Sequence, residues 1–370
     1  MNETGQAVRP GRVESLDALR GFDMFWIIGG SELFIGLARG TGNPILNALI
    51  PQLEHVPWQG FHFLDLIMPL FLFIVGVAMP FSFRKRLGRG DSKKKLFSHV
   101  LKRVAVLFLL GMMTQGNLFA YSWEKLNIFI GTLPAIGAGY LVASILILTM
   151  DLRRQIATVC SLLLIYWAVM TLIPVPGIGA GVLTPTGNLG FWLDHTIMRG
   201  FLPAHRTYTQ LLNIMTFGST VTLGVFAGRI LQSSMTGNRK PLVLLGMGAS
   251  LVAVGLVWNI WFPIIKHIWS SSFVLFAGGL SYLLLALFYY IIDVRGYHSW
   301  AFGFKIIGMN AIAVYMATQL YDFRGIGNIF VKSLADRTGE WYFLIEHLAA
   351  FAVVWLILYW MYREKTFISI

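Results

Sequence analysis

Residues 55 to 69 read His55-Val56-Pro57-Trp58-Gln59-Gly60-Phe61-His62-Phe63-Leu64-Asp65-Leu66-Ile67-Met68-Pro69, and a long apolar run follows. A histidine therefore stands just outside an apolar stretch and a carboxylate stands inside it. An imidazole can accept and return a proton near neutral pH, and a nearby carboxylate can orient it. With Pro57 in the first helical turn, Asp65 falls roughly 12 Å along the helix at ~1.5 Å per residue. An ionisable group at that depth costs at least about 2.5 kcal/mol against hydrocarbon, so Asp65 is expected to face protein. His62 precedes Asp65 by three residues, shares its helix face and rivals His55 as its partner.

Other chemistries find less support. The only cysteine, Cys160, falls within an apolar run, which leaves no intramolecular disulfide and no thiolate metal site. No His-x-x-x-His or Cys-His ligand spacing occurs, so no metal is expected. No Gly-x-Gly-x-x-Gly opens a helix after a strand, which removes the dinucleotide-binding fingerprint.

The elements that carry these residues are membrane spans. Hydrophobic residues make up 56% of the 370 and charged residues 12%, with a mean hydropathy of +0.67, values a soluble core of this size cannot absorb. Mostly apolar windows of 18 or more residues begin near positions 21, 60, 103, 128, 156, 210, 241, 272, 302 and 342. The fold class expected is all-α, a polytopic helix bundle of about ten spans, with residues 1–370 forming a single transmembrane domain.

Basic residues set the orientation. With the N-terminus cytoplasmic, the segments on that side hold 21 of the 29 lysines and arginines, including Arg9, Arg12, Arg20, Arg84, Lys85, Arg86 and Lys93 to Lys95. The other side keeps eight, among them Arg199, Arg206 and Lys266. The positive-inside rule then puts both termini in the cytoplasm. The net charge of +12 is mostly topogenic, and the Arg84 to Lys95 cluster lacks the interleaved aromatics of a nucleic-acid surface. The first 20 residues read as the flank of a retained anchor, and a bacterial inner membrane is the expected location. Of eight histidines, His99 and His298 fall on the cytoplasmic side, whereas His55, His62, His195, His205, His267 and His347 fall toward the outer face. Three outward connections are long, residues 39 to 57, 174 to 208 and 321 to 341. Such loops either cover a site or hold a homodimer together.

Several segments, in order along the chain, resemble the heparan-α-glucosaminide N-acetyltransferase family of transmembrane acyltransferases. They are Arg12-Val13-Glu14-Ser15-Leu16-Asp17-Ala18-Leu19-Arg20-Gly21-Phe22; His55 through Trp58 and Gly60 to Asp65-Leu66 and Gly76; Leu223-Gly224-Val225-Phe226-Ala227-Gly228-Arg229; Lys266 through Trp269-Ser270 to Asp293-Val294; and Gly308-Met309-Asn310-Ala311-Ile312. The resemblance implies transfer of acetyl from cytoplasmic acetyl-CoA to the amine of a glucosamine residue across the membrane. It also places the catalytic histidine in a His-x-x-Trp-x-Gly pattern, here His55 to Gly60, which ranks His55 above His62. The chain departs from the eukaryotic members at Gly29-Gly30-Ser31-Glu32 and at Thr132-Leu133-Pro134, which bears on the acceptor.

Roles follow for the remaining candidates. A sugar amine with a pKa of ~7.7 to 8.0 needs only a base near neutrality, which suits His55 oriented by Asp65. Asn310 and Ser272 are the side chains expected to donate to the oxyanion of a tetrahedral intermediate. Glu32 would bind the sugar ammonium, with Trp58 and His62 nearby on the acceptor side. Asp17, Arg20, Arg84 and Arg86 would meet the anionic nucleotide of acetyl-CoA. An amino-sugar permease is the alternative from another class, and O-acetylation of a periplasmic glycan shares the donor while differing in acceptor. The partners expected are thus a small amino sugar, acetyl-CoA and membrane lipid.

Overall fold

The computed structural model describes residues 13–129, 131–198, 201 and 211–368. Arg9, Arg12, Arg199, His205 and Arg206 lie outside the described residues. All described secondary structure is helical apart from isolated bridges. Among the described residues nine helices are long and apolar enough to cross a membrane, and a bent pair brings the number to ten.

The first span joins α1 (Glu14–Phe25) to α2 (Ser31–Thr41) through a π-helical turn, Trp26–Gly30. Gly29 there adopts a φ of 134°, which L side chains rarely tolerate, and the helix bends at this point. A short helix, α3 (Pro44–Leu49), follows, with the Asn43 side chain capping its first amides. Residues 54 to 62 are not helical. Helix resumes only at Phe63, as a 3₁₀ turn that leads into α4 (Ile67–Leu87). Pro57 therefore does not begin the second span, and Asp65 is its third residue rather than its ninth. The carboxylate sits at the mouth of the bundle, and the depth inferred from Pro57 is corrected accordingly.

The bundle continues with α5 (Lys93–Thr114), α6 (Thr132–Thr149), α7 (Leu152–Leu172), a short α8 (Leu189–Ile197), α9 (Asn213–Gln232), α10 (Arg239–Trp258) and α11 (Ser271–Tyr289). Helix α5 starts ten residues before the expected position. Ser92 caps it by accepting from the Lys95 amide, and long lysine stems let Lys93 to Lys95 occupy an apolar helix's first turn.

At the centre, α4 and α9 are buried on nearly every face. Their backbones touch. A Cβ on Gly76 would lie 1.9 Å from the Val221 carbonyl oxygen, and one on Gly224 would lie 2.0 Å from that of Phe73. Glycine is therefore required at both positions, as in close-packed membrane helix pairs generally. The hydroxyls of Ser219, Thr220 and Thr222 on α9 bond back to the carbonyls four residues earlier, so these three donors enter the core paired. Around this pair, α5, α7, α10 and the last span bury only one face and present leucine and isoleucine outward, as lipid contact requires.

The chain then breaks its helical path. Helices α12 (Phe302–Met309) and α13 (Ala311–Leu320) meet at Asn310 with a bend of 64°. The outward loop expected at 321 to 341 is largely a helix, α14 (Phe323–Ala335), laid antiparallel along the first half of α15 (Tyr342–Arg363). Gly327 packs on the backbone of Ala349 and Ala350, and Arg324 pairs with the buried Glu346 at 2.7 Å. Ile329, Phe330 and Leu334 are left exposed on its other side.

Candidate functional site

The site begins with a strap, residues 54 to 62. Gly60 adopts a φ of 119° and donates its amide to the Ile264 carbonyl at 2.9 Å, and Gln59 bridges Ile265. The Trp58 indole donates to the Leu183 carbonyl at 2.7 Å and stacks on His267, with centroids 5.2 Å apart. These contacts stitch the strap to the loop between α10 and α11 and, through Leu183, to the segment before α8.

That loop is itself rigid. Asn259 accepts from the Ile264 amide, Ser270 accepts from the Ile265 amide and donates to the Pro263 carbonyl, and the fully buried Trp269 donates its indole N–H to Thr220. Lys266 is thereby held over the strap.

Three side chains converge there. His55 Nδ1 is 2.8 Å from Asp65 Oδ1, Lys266 Nζ is 3.1 Å from the same oxygen, and Nζ is 3.0 Å from Nδ1. The other carboxylate oxygen accepts the amides of His62 at 3.0 Å and Val56 at 3.3 Å. Asp65 is 1% exposed, Lys266 11% and His55 54%, so the two charges are sunk and the imidazole reaches outward. Charge-assisted bonds of this kind hold a buried carboxylate in place. Burial pushes the Lys266 ammonium below the ordinary lysine range, and Asp65 acts in the opposite direction. His267 is likewise pushed down, first by burial and then by the neighbouring Lys266 charge.

The arrangement constrains the imidazole's tautomer. If Lys266 donated to Nδ1, the Nε2 nitrogen would carry the proton and could not act as a base. If Nδ1–H donates to Asp65 instead, Nε2 keeps its lone pair. In the second arrangement the Lys266 protons are directed to Asp65.

His55 and Lys266 line a cavity of about 480 Å³, shared with Glu32, Ser31, Trp26, His267 and Tyr315. That volume suits a small molecule. It reaches from the strap down to Phe71, eight residues into the second span, or roughly 12 Å at ~1.5 Å per residue.

The other candidates from sequence fall elsewhere. Trp58 stands behind His267 in the wall. The His62 ring turns away to the Glu54 carbonyl at 3.0 Å, so it does not pair with Asp65 through its side chain. Ser272 is fully buried against the Ser270 hydroxyl at 3.0 Å, and Asn310 bonds the backbone of Thr366 and Ile368. Neither lines the cavity. At the far end of the bundle Asp17 contacts Arg20 at 3.4 Å, Arg86 donates to His99 at 2.9 Å and lies 3.8 Å from Asp91, and Arg84 is exposed. Asp91 is held below the ordinary carboxylate range, chiefly by its bond to Lys95. Among the described residues no cluster of three or more His, Cys, Asp or Glu could hold a metal. Sequence alone assigns no role to Lys266, because nothing local distinguishes a lysine in an aromatic-rich loop.

Fold and site together define a class: a polytopic all-α membrane protein with a His–Asp–Lys cluster at the mouth of its bundle. Residues 12–166 match the family described as a domain of unknown function, DUF5009. The chain is 28% identical to heparan-alpha-glucosaminide N-acetyltransferase of Mus musculus, with 85% of this chain and 56% of the relative covered. It is 26% identical to the Homo sapiens protein of the same name, with 97% of this chain and 60% of the relative covered. The chain is thus similar to these proteins over most of its own length, and spans a little over half of theirs.

Proposed function

We propose that this protein is a transmembrane N-acetyltransferase that moves acetyl from cytoplasmic acetyl-CoA to the amine of glucosamine, or of a glucosamine-containing sugar, on the opposite side of a bacterial inner membrane. The observation that carries the reading is the His55–Asp65–Lys266 cluster opening on a cavity of small-molecule size. The family relatives' printed activity and the orientation of the basic residues support it.

In this reading Asp65 accepts Nδ1–H and leaves Nε2 of His55 to take a proton from the sugar ammonium. Glu32, in the cavity wall, holds that ammonium beforehand. The freed amine attacks the thioester carbonyl, and the C–S bond breaks as the tetrahedral intermediate collapses. CoA departs as a thiolate and is protonated, and one proton is released overall per acetyl transferred. Asn310 and Ser272 do not line the cavity and Lys266 does, so Lys266 is the cation that stabilises the developing oxyanion. Direct attack in a ternary complex avoids exposing an acetyl-imidazole to water at the mouth.

The test is vectorial. With purified protein in sealed vesicles, acetyl-CoA supplied on the Arg84 face and glucosamine on the His55 face should yield free CoA thiol and N-acetylglucosamine on opposite sides. Uptake of unmodified sugar with no thiol would instead make the protein a permease and overturn the reading.

A further inference from the structure

The connection between the first two spans carries an apolar helix that the described residues leave bare. The stretch Pro44–Leu53 is too short to cross a membrane, and α3 within it has no buried residue. Ile45 is 74% exposed and Leu49 46%. They stand four residues apart and so form one stripe on the helix. Apolar surface set out in this way, away from the lipid-facing sides of the spans, marks a place of contact.

The stripe leads to the site. A 3₁₀ turn, Ile50–Leu53, continues α3 without a gap, and the buried Leu53 lines the cavity that holds Glu32, His55 and Lys266. Two other segments that build the cavity wall carry a related signature. Tyr121 and Trp123 are exposed in the segment that leads to Gly131 and Thr132, and Trp261 is exposed in the loop that leads to Lys266. Tyrosine and tryptophan gather where a membrane meets water, because their rings are apolar at one end and polar at the other. Three segments thus place the mouth of the cavity at the depth of the lipid headgroups, where a molecule can enter from within the membrane.

We infer that the acceptor is membrane-anchored: an amino sugar carried on a hydrocarbon tail, with its amine at Glu32 and its tail along Ile45 and Leu49. Charge and apolar surface follow in the order such a molecule needs. A carboxylate inside the cavity meets the ammonium, Leu53 forms the wall between, and the stripe of α3 lies outside. A water-soluble sugar would use the carboxylate and leave the stripe without a role. The inference rests on the acetyltransferase reading and deepens it by naming the class of acceptor. Bulk lipid is the competing occupant of the stripe, and it differs from the anchored sugar in having no amine for Glu32.

The experiment compares methyl glucosaminide with octyl glucosaminide, which share the amine and differ in the tail. The full-length protein in lipid nanodiscs is set beside a double variant, Ile45→Ser and Leu49→Ser, whose altered side chains are exposed and outside the cavity. With acetyl-CoA as donor, the wild type should show a KM about ten-fold or more lower for the octyl compound. The double variant should lose most of that preference and keep its KM for methyl glucosaminide within two-fold. Equal KM values in the wild type would overturn the assignment. So would a preference that persists in the variant, which would leave the stripe to bulk lipid, or an equal loss with both compounds, which would make α3 a scaffold. Binding is read separately, as a rise in melting temperature with octyl glucosaminide beyond that with octyl glucoside, which lacks the amine. That rise should be present in the wild type and weaker in the variant. If it is seen while neither glucosaminide is acetylated, the anchored amino sugar stands as a ligand and the transferase reading fails. If it is absent, the assignment fails whatever the activity.

Discussion

The two ends of this bundle treat charge in opposite ways. At the His55 end one carboxylate and one ammonium are sunk below the surface and touch a single imidazole, each bonded by backbone or side-chain groups from segments far apart in the chain. At the Arg84 end the basic residues are more numerous, and many are exposed. Arg86, Asp91 and Lys95 form surface pairs of the kind that contribute little. Burial with convergence marks chemistry, whereas abundance with exposure marks orientation in the membrane. A count of charges alone would draw attention only to the Arg84 end.

Mutations can break that contrast or sharpen it. The largest effect is expected at His55. His55→Ala should lower kcat about 10³-fold or more with acetyl-CoA binding retained, while His62→Ala, whose ring bonds only a loop carbonyl, should stay within about three-fold. Equal losses in the two variants, measured as initial rates of thiol release, would dissolve the distinction between the rings. Lys266→Met comes next, with an expected fall of about 10² in kcat and little change in either KM, as for removal of one oxyanion stabiliser. A fall in stability alone, with kcat intact, would reduce Lys266 to a clamp on Asp65. At the other end, Arg84→Gln and Arg86→Gln should each raise KM for acetyl-CoA only a few-fold, an effect that shrinks at high salt.

The smallest expected effect is a pH dependence at His267. Its folded pKa lies below the ordinary value of about 6.5, so between the two values the unfolded chain binds a proton that the folded chain does not. Stability should therefore be full above about pH 6.5 and fall as the pH drops toward the lowered value. His267→Gln should flatten that acid limb in a melting-temperature series. A limb equally steep in the variant would assign the dependence to another group.

How much of this was legible beforehand differs between the fold and the site. Apolar windows located the spans because hydrocarbon imposes a length on every crossing, and the last two long ones begin within one residue of expectation, at Ser271 and Tyr342. Helix α5 was placed ten residues late, since a lysine run looks like a loop until its stems are allowed to lie along the helix. Helix α14 was missed because an amphipathic helix flanked by glycine and charge lacks the uniform hydropathy of a span. His55 and Asp65 stood close enough in sequence to be read together, although their contact depends on a strap and not on a shared helix. Lys266 is 211 residues away from His55, and only the stitching of Gly60 to Ile264 brings it there. Asn310 and Ser272 were visible as polar residues in apolar spans, but what a polar residue bonds is decided by tertiary contacts. Asn310 is taken up by the backbone of Thr366 and Ile368 near the end of the chain, and Ser272 by the Ser270 hydroxyl in the α11 cap.

The missing clearance between α4 and α9 has a mechanical consequence. Two helices whose backbones meet at Gly76 and Gly224 cannot slide past each other by even a methyl's width, and so they act as a single beam. Asp65 is fixed to that beam at the head of the second span, while His55 rides on the strap, which joins the beam through the irregular residues around Gly60. A swing of the strap that widened the mouth would carry the imidazole away from both Asp65 and Lys266. Widening the mouth and parting the imidazole from both of its partners would then be one movement.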